Sequence, residues 1–360
     1  MSSRLDRAWM DVDLDAVIRN AQTAKKRSGV EIIPMVKADA YGLGAVPVAR
    51  ALESVDPLAY GIATIAEGRE LRDAGIKRRI IVFSPLLRDE YPDARELSLI
   101  PVLGTAEEIE AWARGGGAWE LSIDTGMSRA GIQWRDINTI LEVVAKHPPE
   151  GAFTHFHSAE LDDGSMDQQE KRFSDAVAAL PARPGFLHTD ASAAIVRHGH
   201  SEWDAIRPGV FLYGVGSDAG PELDPEPVVG IHARIAETRW IEQGDSVSYD
   251  ATWHAPSRRR IATIPMGYGD GYPRALGNRA SALTSDGRVP IVGLVTMDMI
   301  MLDVTDSTAN VGDVVTLVGK VEGVGEIGLA ELGALAGMSY YEVLTGLRGR
   351  LDRYYAGGSK

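Results

Sequence analysis

The strongest constraint on the fold is an alternation that runs through the first two-thirds of the chain. Short apolar, β-branched runs recur at residues 31–37, 59–64, 79–84, 100–103, 119–124, 152–158, 185–190 and 205–213. Stretches with helical spacing lie among them, at 14–27, 45–54, 65–74, 105–114 and 166–180. Thr105 ahead of Glu107 and Glu108, and Asp13 ahead of an apolar-periodic run, are helix start signals. The strand candidates are near-continuously apolar, as parallel strands covered on both faces must be. Eight of them in about 200 residues match the count and size of a (β/α)8 TIM barrel. The rival, a doubly wound open sheet, wants a complete glycine-rich phosphate turn after an early strand. The turn after the first run, Ala40-Tyr41-Gly42-Leu43-Gly44, does not complete that fingerprint.

The pattern changes at Pro221-Glu222-Leu223-Asp224-Pro225-Glu226-Pro227, where three prolines in seven residues mark a boundary. Beyond it come short alternating runs at 233–241, 261–265, 290–295, 299–304 and 314–318, with frequent Gly and Asp. They predict an all-β domain, closed by a short helix at 329–336 and a tyrosine-bearing tail. The expected class is therefore α/β, with a barrel over 1–225 and a β-rich domain over 226–360. About 10 residues at the start are free to pack on the second domain. Gly323-Val324-Gly325-Glu326-Ile327-Gly328 has dinucleotide-motif spacing, but no βαβ unit follows it.

Charge and cysteine usage remove several function classes. With 37 basic and 51 acidic residues the net charge is −14. Nucleic acid and anionic membranes both favour basic surfaces, so neither is expected as a partner. There is no cysteine, which excludes disulfides, thiolate zinc sites and cysteine nucleophiles. The opening MSSRLDRAWMDVDLD has no apolar signal core. No run approaches the ~18 apolar residues of a membrane span. A soluble, cytoplasmic protein is the expectation.

The most informative segment is Pro34-Met35-Val36-Lys37-Ala38-Asp39-Ala40-Tyr41-Gly42-Leu43-Gly44. A lysine ends an apolar strand and a glycine-rich loop follows. In a parallel barrel the strand C-termini form the active-site face. A lysine partly desolvated there has a depressed pKa and can form a Schiff base.

Residues 36–44 resemble the pyridoxal-phosphate lysine motif of the alanine racemase family. Further matches follow in order along nearly the whole chain. They are Asp124-Thr125-Gly126-Met127-Ser128-Arg129-Ala130-Gly131, Thr154-His155-Phe156, Arg207-Pro208-Gly209-Val210 and Tyr213-Gly214. Val247-Ser248-Tyr249, Gly267-Tyr268-Gly269-Asp270-Gly271-Tyr272-Pro273, Met297-Asp298 and Tyr341-Glu342-Val343 complete the set. The family's fold is an N-terminal (β/α)8 barrel and a C-terminal β domain.

The resemblance implies a role for each residue. Lys37 would hold pyridoxal 5'-phosphate covalently and act as the base on one face of the substrate Cα. Tyr249, from the other subunit of a homodimer, would be the base on the opposite face. A tyrosine of ordinary pKa, about 10, is a poor base at neutral pH and needs cationic or hydrogen-bonding neighbours. The Arg207–His155 pair would supply them. Arg207 would contact the pyridine nitrogen and, holding its own proton, leave that nitrogen largely unprotonated. Tyr41, Ser192, the amides of Gly209 and Val210, and Tyr341 would bind the phosphate. Arg129 and the Met297 amide would hold the carboxylate of a small amino-acid substrate. Tyr268 and Tyr341 would shape the entrance.

Three positions depart from the family's pattern. Ser122 stands where a lysine, commonly carbamylated, orients the motif arginine. Ala191-Ser192 replaces an Asn-Ser pair. His157 stands where a small residue is usual. His155 and His157, two apart on a predicted strand, would face one side and with Asp190 resemble a metal site. D-threonine aldolases, a related lysine–pyridoxal family, do carry a metal, but their ligands lie elsewhere. No metal is expected here, and His157 reads as a packed or substrate-contacting side chain. The implied activity is L-/D-alanine racemisation by two bases. The alternatives are a racemase of serine, lysine, ornithine or a broad range, and a non-catalytic pyridoxal-phosphate-binding protein. The last class lacks a β domain and its tyrosine.

Overall fold

A computed structural model describes residues 6–216, 223–347 and 349–358. Pro221 and Glu222 of the proline-rich boundary lie outside them. The chain divides into two compact units. One comprises residues 16–40 and 44–226, the other the residues up to 15, 41–43 and those from 227 onward.

The first unit is the barrel. Its strands are Glu31–Ile32, Tyr60–Ile62, Ile80–Val82, Ile100–Leu103, Glu120–Asp124, Gly151–Phe153, Phe186–Ala191 and Ala205–Arg207. Every neighbouring pair runs parallel. A parallel bridge between Met35 and Gly61 joins the first strand's extension to the second and closes the ring. The Gly61 amide donates to Pro34 O at 2.9 Å, and the Val36 amide to Gly61 O at 2.8 Å. Ile33, Ala59, Ile81, Ile100, Val102, Phe153, Phe186 and Ala205 form one buried cluster.

The predicted helices are present with shifted ends. Ile65–Asp73 and Ala106–Ala113 both open with capping boxes, from Thr64 with Glu67 and from Thr105 with Glu108. Several predicted strands end early, among them the run at 152–158, which stops at Phe153. The run at 31–37 leaves extended geometry before Lys37. The run at 205–213 stops at Arg207, because Pro208-Gly209 turns the chain and Val210–Tyr213 winds into a 3-10 turn.

In the second unit, Ala8–Asp13 is a sheet strand, antiparallel to Val229–Arg234 and parallel to Asp352–Ala356. The sheet continues through Val314–Val321, Ser281–Leu283 and Arg288–Pro290. A separate antiparallel sheet holds Glu237–Ile241, Arg259–Ile264 and Ile300–Asp303. The single run expected at 233–241 is thus two strands in two sheets. Gly325–Ile327 is a strand paired with the end of Val314–Val321. Among the described residues, no helix is long and apolar enough to cross a membrane.

Candidate active site

Five barrel strands deliver predicted site residues at or just past their C-terminal ends. Lys37 follows the first strand, Arg129 the Glu120–Asp124 strand, and His155 the Gly151–Phe153 strand. Ser192 follows Phe186–Ala191, and Arg207 ends its own strand. This is the end of a barrel where catalytic groups gather.

Lys37 opens a tight turn. Ala38, Asp39, Ala40 and Tyr41 have φ of 52°, 58°, 51° and 56°, four consecutive left-handed residues without a glycine. Each such residue costs roughly 1–2 kcal/mol, so the turn must be held from outside. The Ala38 amide donates to Glu67 Oε1 at 2.7 Å, and the Ala40 amide to Val36 O at 2.9 Å. Asp39 accepts the Gly44 amide on its carbonyl and the Ala45 amide on Oδ1, both at 2.8 Å. Burial pulls the Lys37 ammonium below its ordinary pKa, and Arg129 and Arg207 add to the effect against Glu67. A rigid turn thus presents an amine biased toward its neutral, nucleophilic form.

Arg207 is 4% exposed and is not the surface ion pair its type would suggest. Nη1 donates to His188 Nδ1 at 2.8 Å and to His188 O at 2.7 Å. Nη2 donates to Thr154 O at 2.7 Å, Thr189 O at 2.9 Å and His155 Nδ1 at 3.3 Å. Five acceptors absorb the four Nη hydrogens. Nε–H has no protein acceptor among the described residues. Burial lowers the Arg207 pKa to about 10, which leaves the group charged at neutral pH. The same burial, with Arg207, Arg129 and Lys37 nearby, pushes His155 down to about 3. His155 is therefore neutral, and because Nδ1 accepts from Arg207 its proton sits on Nε2.

Ser192 opens the helix Ser192–His198, and its Oγ accepts the Gly209 amide at 3.0 Å and the Phe211 amide at 3.3 Å. Ser192 and the Gly209 amide, two of the groups expected at the phosphate, thus lie within hydrogen-bond distance of each other, and Val210 is next in the chain. A neutral-leaning amine, a charged guanidinium with one unspent donor, and a hydroxyl–amide cluster fit pyridoxal phosphate well.

Arg129 sits in a loop that Asp124 organises, its Oδ1 accepting the amides of Gly126 at 2.9 Å and Ser128 at 3.1 Å. Gly131 closes this loop with φ +98°, where an added Cβ would come within 2.6 Å of Ser122 O and Oγ. A long side chain at 122 is thus replaced by close contact with the loop. The strand ends at Phe153, so strand alternation does not set His155 and His157 on one face. His157 is exposed and meets Ser158 Oγ through Nδ1 at 2.7 Å, which corrects the packed reading. Among the described residues no group of His, Asp and Glu could hold a metal ion.

The remaining predicted residues belong to the second unit. Tyr41 lies near Tyr341, and burial followed by that neighbour pushes the Tyr41 phenol upward. Tyr355 Oη donates to Leu43 O at 2.9 Å and ties the 41–43 segment into this unit. Tyr268 and Met297 share one clamp: the Tyr268 amide donates to Thr296 O and the Gly269 amide to Met297 O, both at 2.9 Å. Arg350 secures it, with Nε to Asp270 Oδ1 at 2.9 Å and Nη1 to Asp298 Oδ1 at 2.7 Å. Tyr249 follows Ser248, whose φ is +70° and whose Oγ donates to Leu294 O at 2.7 Å. The Tyr249 ring is 70% exposed.

Sequence reasoning missed Glu67, Glu120 and His188. Glu67 had a visible signal, three residues after Thr64 at a helix start. Glu120 had one too, as a charge inside the apolar run at 119–124.

Comparison with known proteins follows the same division. The model of the alanine racemase N-terminal domain matches residues 12–217, and that of the C-terminal domain matches 228–355. An alanine racemase of Sorangium cellulosum is 37% identical over 353 residues, covering 90% of this chain and 91% of the relative. The crystal structure of alanine racemase from E. faecalis superposes with a TM-score of 0.92 at 28% identity, covering 97% of this chain and 98% of that one. The structure from Bartonella henselae, described with covalently bound pyridoxal phosphate, gives a TM-score of 0.90 at 26% identity, covering 98% of this chain and 100% of that one. The chain belongs to the alanine racemase family.

Proposed function

We propose that this protein interconverts L-alanine and D-alanine with pyridoxal 5'-phosphate, using Lys37 and Tyr249 as bases on opposite faces of Cα. The carrying observation is the barrel mouth, where a lysine of lowered pKa shares a rim with an arginine that has one donor unspent. The bound cofactor supplies an electron sink that acidifies the Cα proton of an amino acid joined to it. Lys37 anchors the group and exchanges the proton on one face. Arg207 offers Nε–H to the ring nitrogen and keeps that nitrogen unprotonated. An unprotonated ring nitrogen there would make the group a weaker electron sink and would disfavour side reactions. Ser192, Gly209, Val210, Tyr41 and Tyr341 are assigned to the phosphate. Arg129 and the Met297 amide are assigned to the substrate carboxylate, and Tyr268 and Tyr341 to the entrance.

Tyr249 serves the site of a second copy in a homodimer. Its 70% exposure in a single chain supports this, since a base needs a partly enclosed site. His155, with its proton on Nε2, is the hydrogen-bond donor suited to favour a phenolate there. The cofactor is assigned to residues 1–225 and the second base to 226–360. The absence of cysteine supports a cytoplasmic location. The test is incubation of the purified, cofactor-loaded protein with each L-amino acid in D2O. Cα exchange with optical inversion for alanine is the expected result; faster inversion of a larger amino acid would reassign the substrate.

A further inference from the structure

Inside the barrel, beneath Arg207, lies a chain of buried polar groups that the racemisation reading leaves unused. His188 and Glu120 are both 0% exposed. His188 Nε2 meets Glu120 Oε2 at 2.9 Å, and Nδ1 meets Arg207 Nη1 at 2.8 Å. The imidazole is stacked between Phe153 (centroids 5.3 Å apart, planes 7°) and Phe186 (5.6 Å, 18°), with Phe83 edge-on. Arg207 lies over Phe153 and Phe83.

The directions of these bonds are forced. An arginine can only donate, so Nδ1 must be the acceptor. A neutral imidazole then carries its proton on Nε2 and donates it to Glu120. A second proton on Nδ1 would point at a guanidinium N–H. Burial independently favours the neutral ring. Glu120 Oε1 has no hydrogen-bond partner, so the carboxylate is poorly compensated for its burial. An apolar side chain would serve packing better. Asp190, the other carboxylate acting on Arg207, is engaged by Thr189 Oγ1 at 2.7 Å and by His198. It is not linked to the guanidinium through an imidazole.

We propose that Glu120 is a positioning residue for racemisation: acting through His188, it locks the Arg207 guanidinium so that Nε–H faces the cofactor's ring nitrogen. This rests on the assignment of Arg207 to that nitrogen. Glu120 holds the His188 tautomer, His188 and the three carbonyls hold both Nη groups, and Nε–H is the donor left over.

Three measurements on the holoenzyme test it. In the unmodified protein, 15N-histidine NMR should show the His188 imidazole, told apart from His155 by its contacts with the Phe153 and Phe186 rings, with its proton on Nε2 and no titration between about pH 6 and 9. This needs no variant, so a folding failure cannot obscure it, and a titrating or Nδ1-protonated His188 overturns the proposal. Glu120→Gln removes the charge and lets a carboxamide N–H compete with the oxygen for His188 Nε2, so the tautomer is no longer held. It should shift the visible band of the bound cofactor and its pH titration, and lower kcat about tenfold with KM for alanine within about twofold. In an Arg207→Lys background the same change should alter the band and kcat less than about twofold. A wild-type-like Glu120→Gln protein, or an undiminished effect in the Arg207→Lys background, overturns the proposal while leaving the Arg207 assignment intact. An Arg207→Lys protein with an unaltered band and titration instead removes that assignment, and the proposal falls with it.

Discussion

Glu67 and Ala38 are joined by a 2.7 Å hydrogen bond from the backbone amide beside Lys37 to a carboxylate on the Ile65–Asp73 helix. The other Glu67 oxygen accepts the Ala63 amide at 2.7 Å and the Thr64 amide at 3.2 Å. One side chain therefore caps a helix and holds the first residue of a left-handed run. Glu67→Ala removes both supports. Loss of about 1–3 kcal/mol in denaturant unfolding is expected, with weaker cofactor retention on dialysis. Unfolding at wild-type denaturant concentration would show that the turn is held by its own backbone bonds.

Cofactor capture by Lys37 should depend on pH. The Lys37 pKa is lowered first by burial and next by Arg129. The protonated amine cannot attack an aldehyde, so the rate of cofactor uptake by the apoprotein should rise with pH. Its midpoint should lie below the ordinary lysine value of 10.5. Arg129→Met removes a cation and should move the midpoint upward. Stopped-flow absorbance across pH reads both, and borohydride reduction followed by peptide mapping should find the label on Lys37. A midpoint at the ordinary value would mean that the amine is more hydrated than its burial implies.

The barrel was legible in the sequence because its strands are apolar on both faces and regularly spaced. Thr105 with Glu108 even marked a helix start. The left-handed turn was not legible. Residues 38–41 contain no glycine, and the run is held by Glu67 from a distant helix and by the Asp39 carboxylate reaching forward to the Ala45 amide. Packing of about the first 10 residues on the second domain was an expectation, but the pairing of Ala8–Asp13 as a strand was hidden, because its partners lie at Val229–Arg234 and Asp352–Ala356, far along the chain. His155 and His157 looked like neighbours on one face only under the assumption that the strand continued past Phe153. Glu120 was visible as an anomaly, but its partners His188 and Arg207 come from other strands.

The two proposed bases should separate genetically. Lys37→Ala and Tyr249→Phe proteins should each be nearly inactive. If Tyr249 works in a neighbour's site, mixing them with demonstrated subunit exchange should restore activity. A mixed dimer contains one site with both bases intact. No recovery after exchange would place both bases in one chain.

Directionality is the sharpest test of the Tyr249 role. The family resemblance puts Lys37 on the proton side of the D-isomer and Tyr249 on that of the L-isomer. Tyr249→Phe should therefore block Cα exchange from L-alanine far more than from D-alanine in D2O. Removing a general base typically costs ~10²–10⁴-fold, so the asymmetry should be easy to resolve by NMR. The cofactor should stay bound, because Lys37, Arg207 and Ser192 are unchanged. The substitution keeps the ring and removes only the hydroxyl, so stability should change by less than about 0.5 kcal/mol. A single base that swings between faces predicts equal losses from both isomers. Equal, small losses in a folded Tyr249→Phe dimer would leave Lys37 as the only base and Tyr249 as part of the pocket wall.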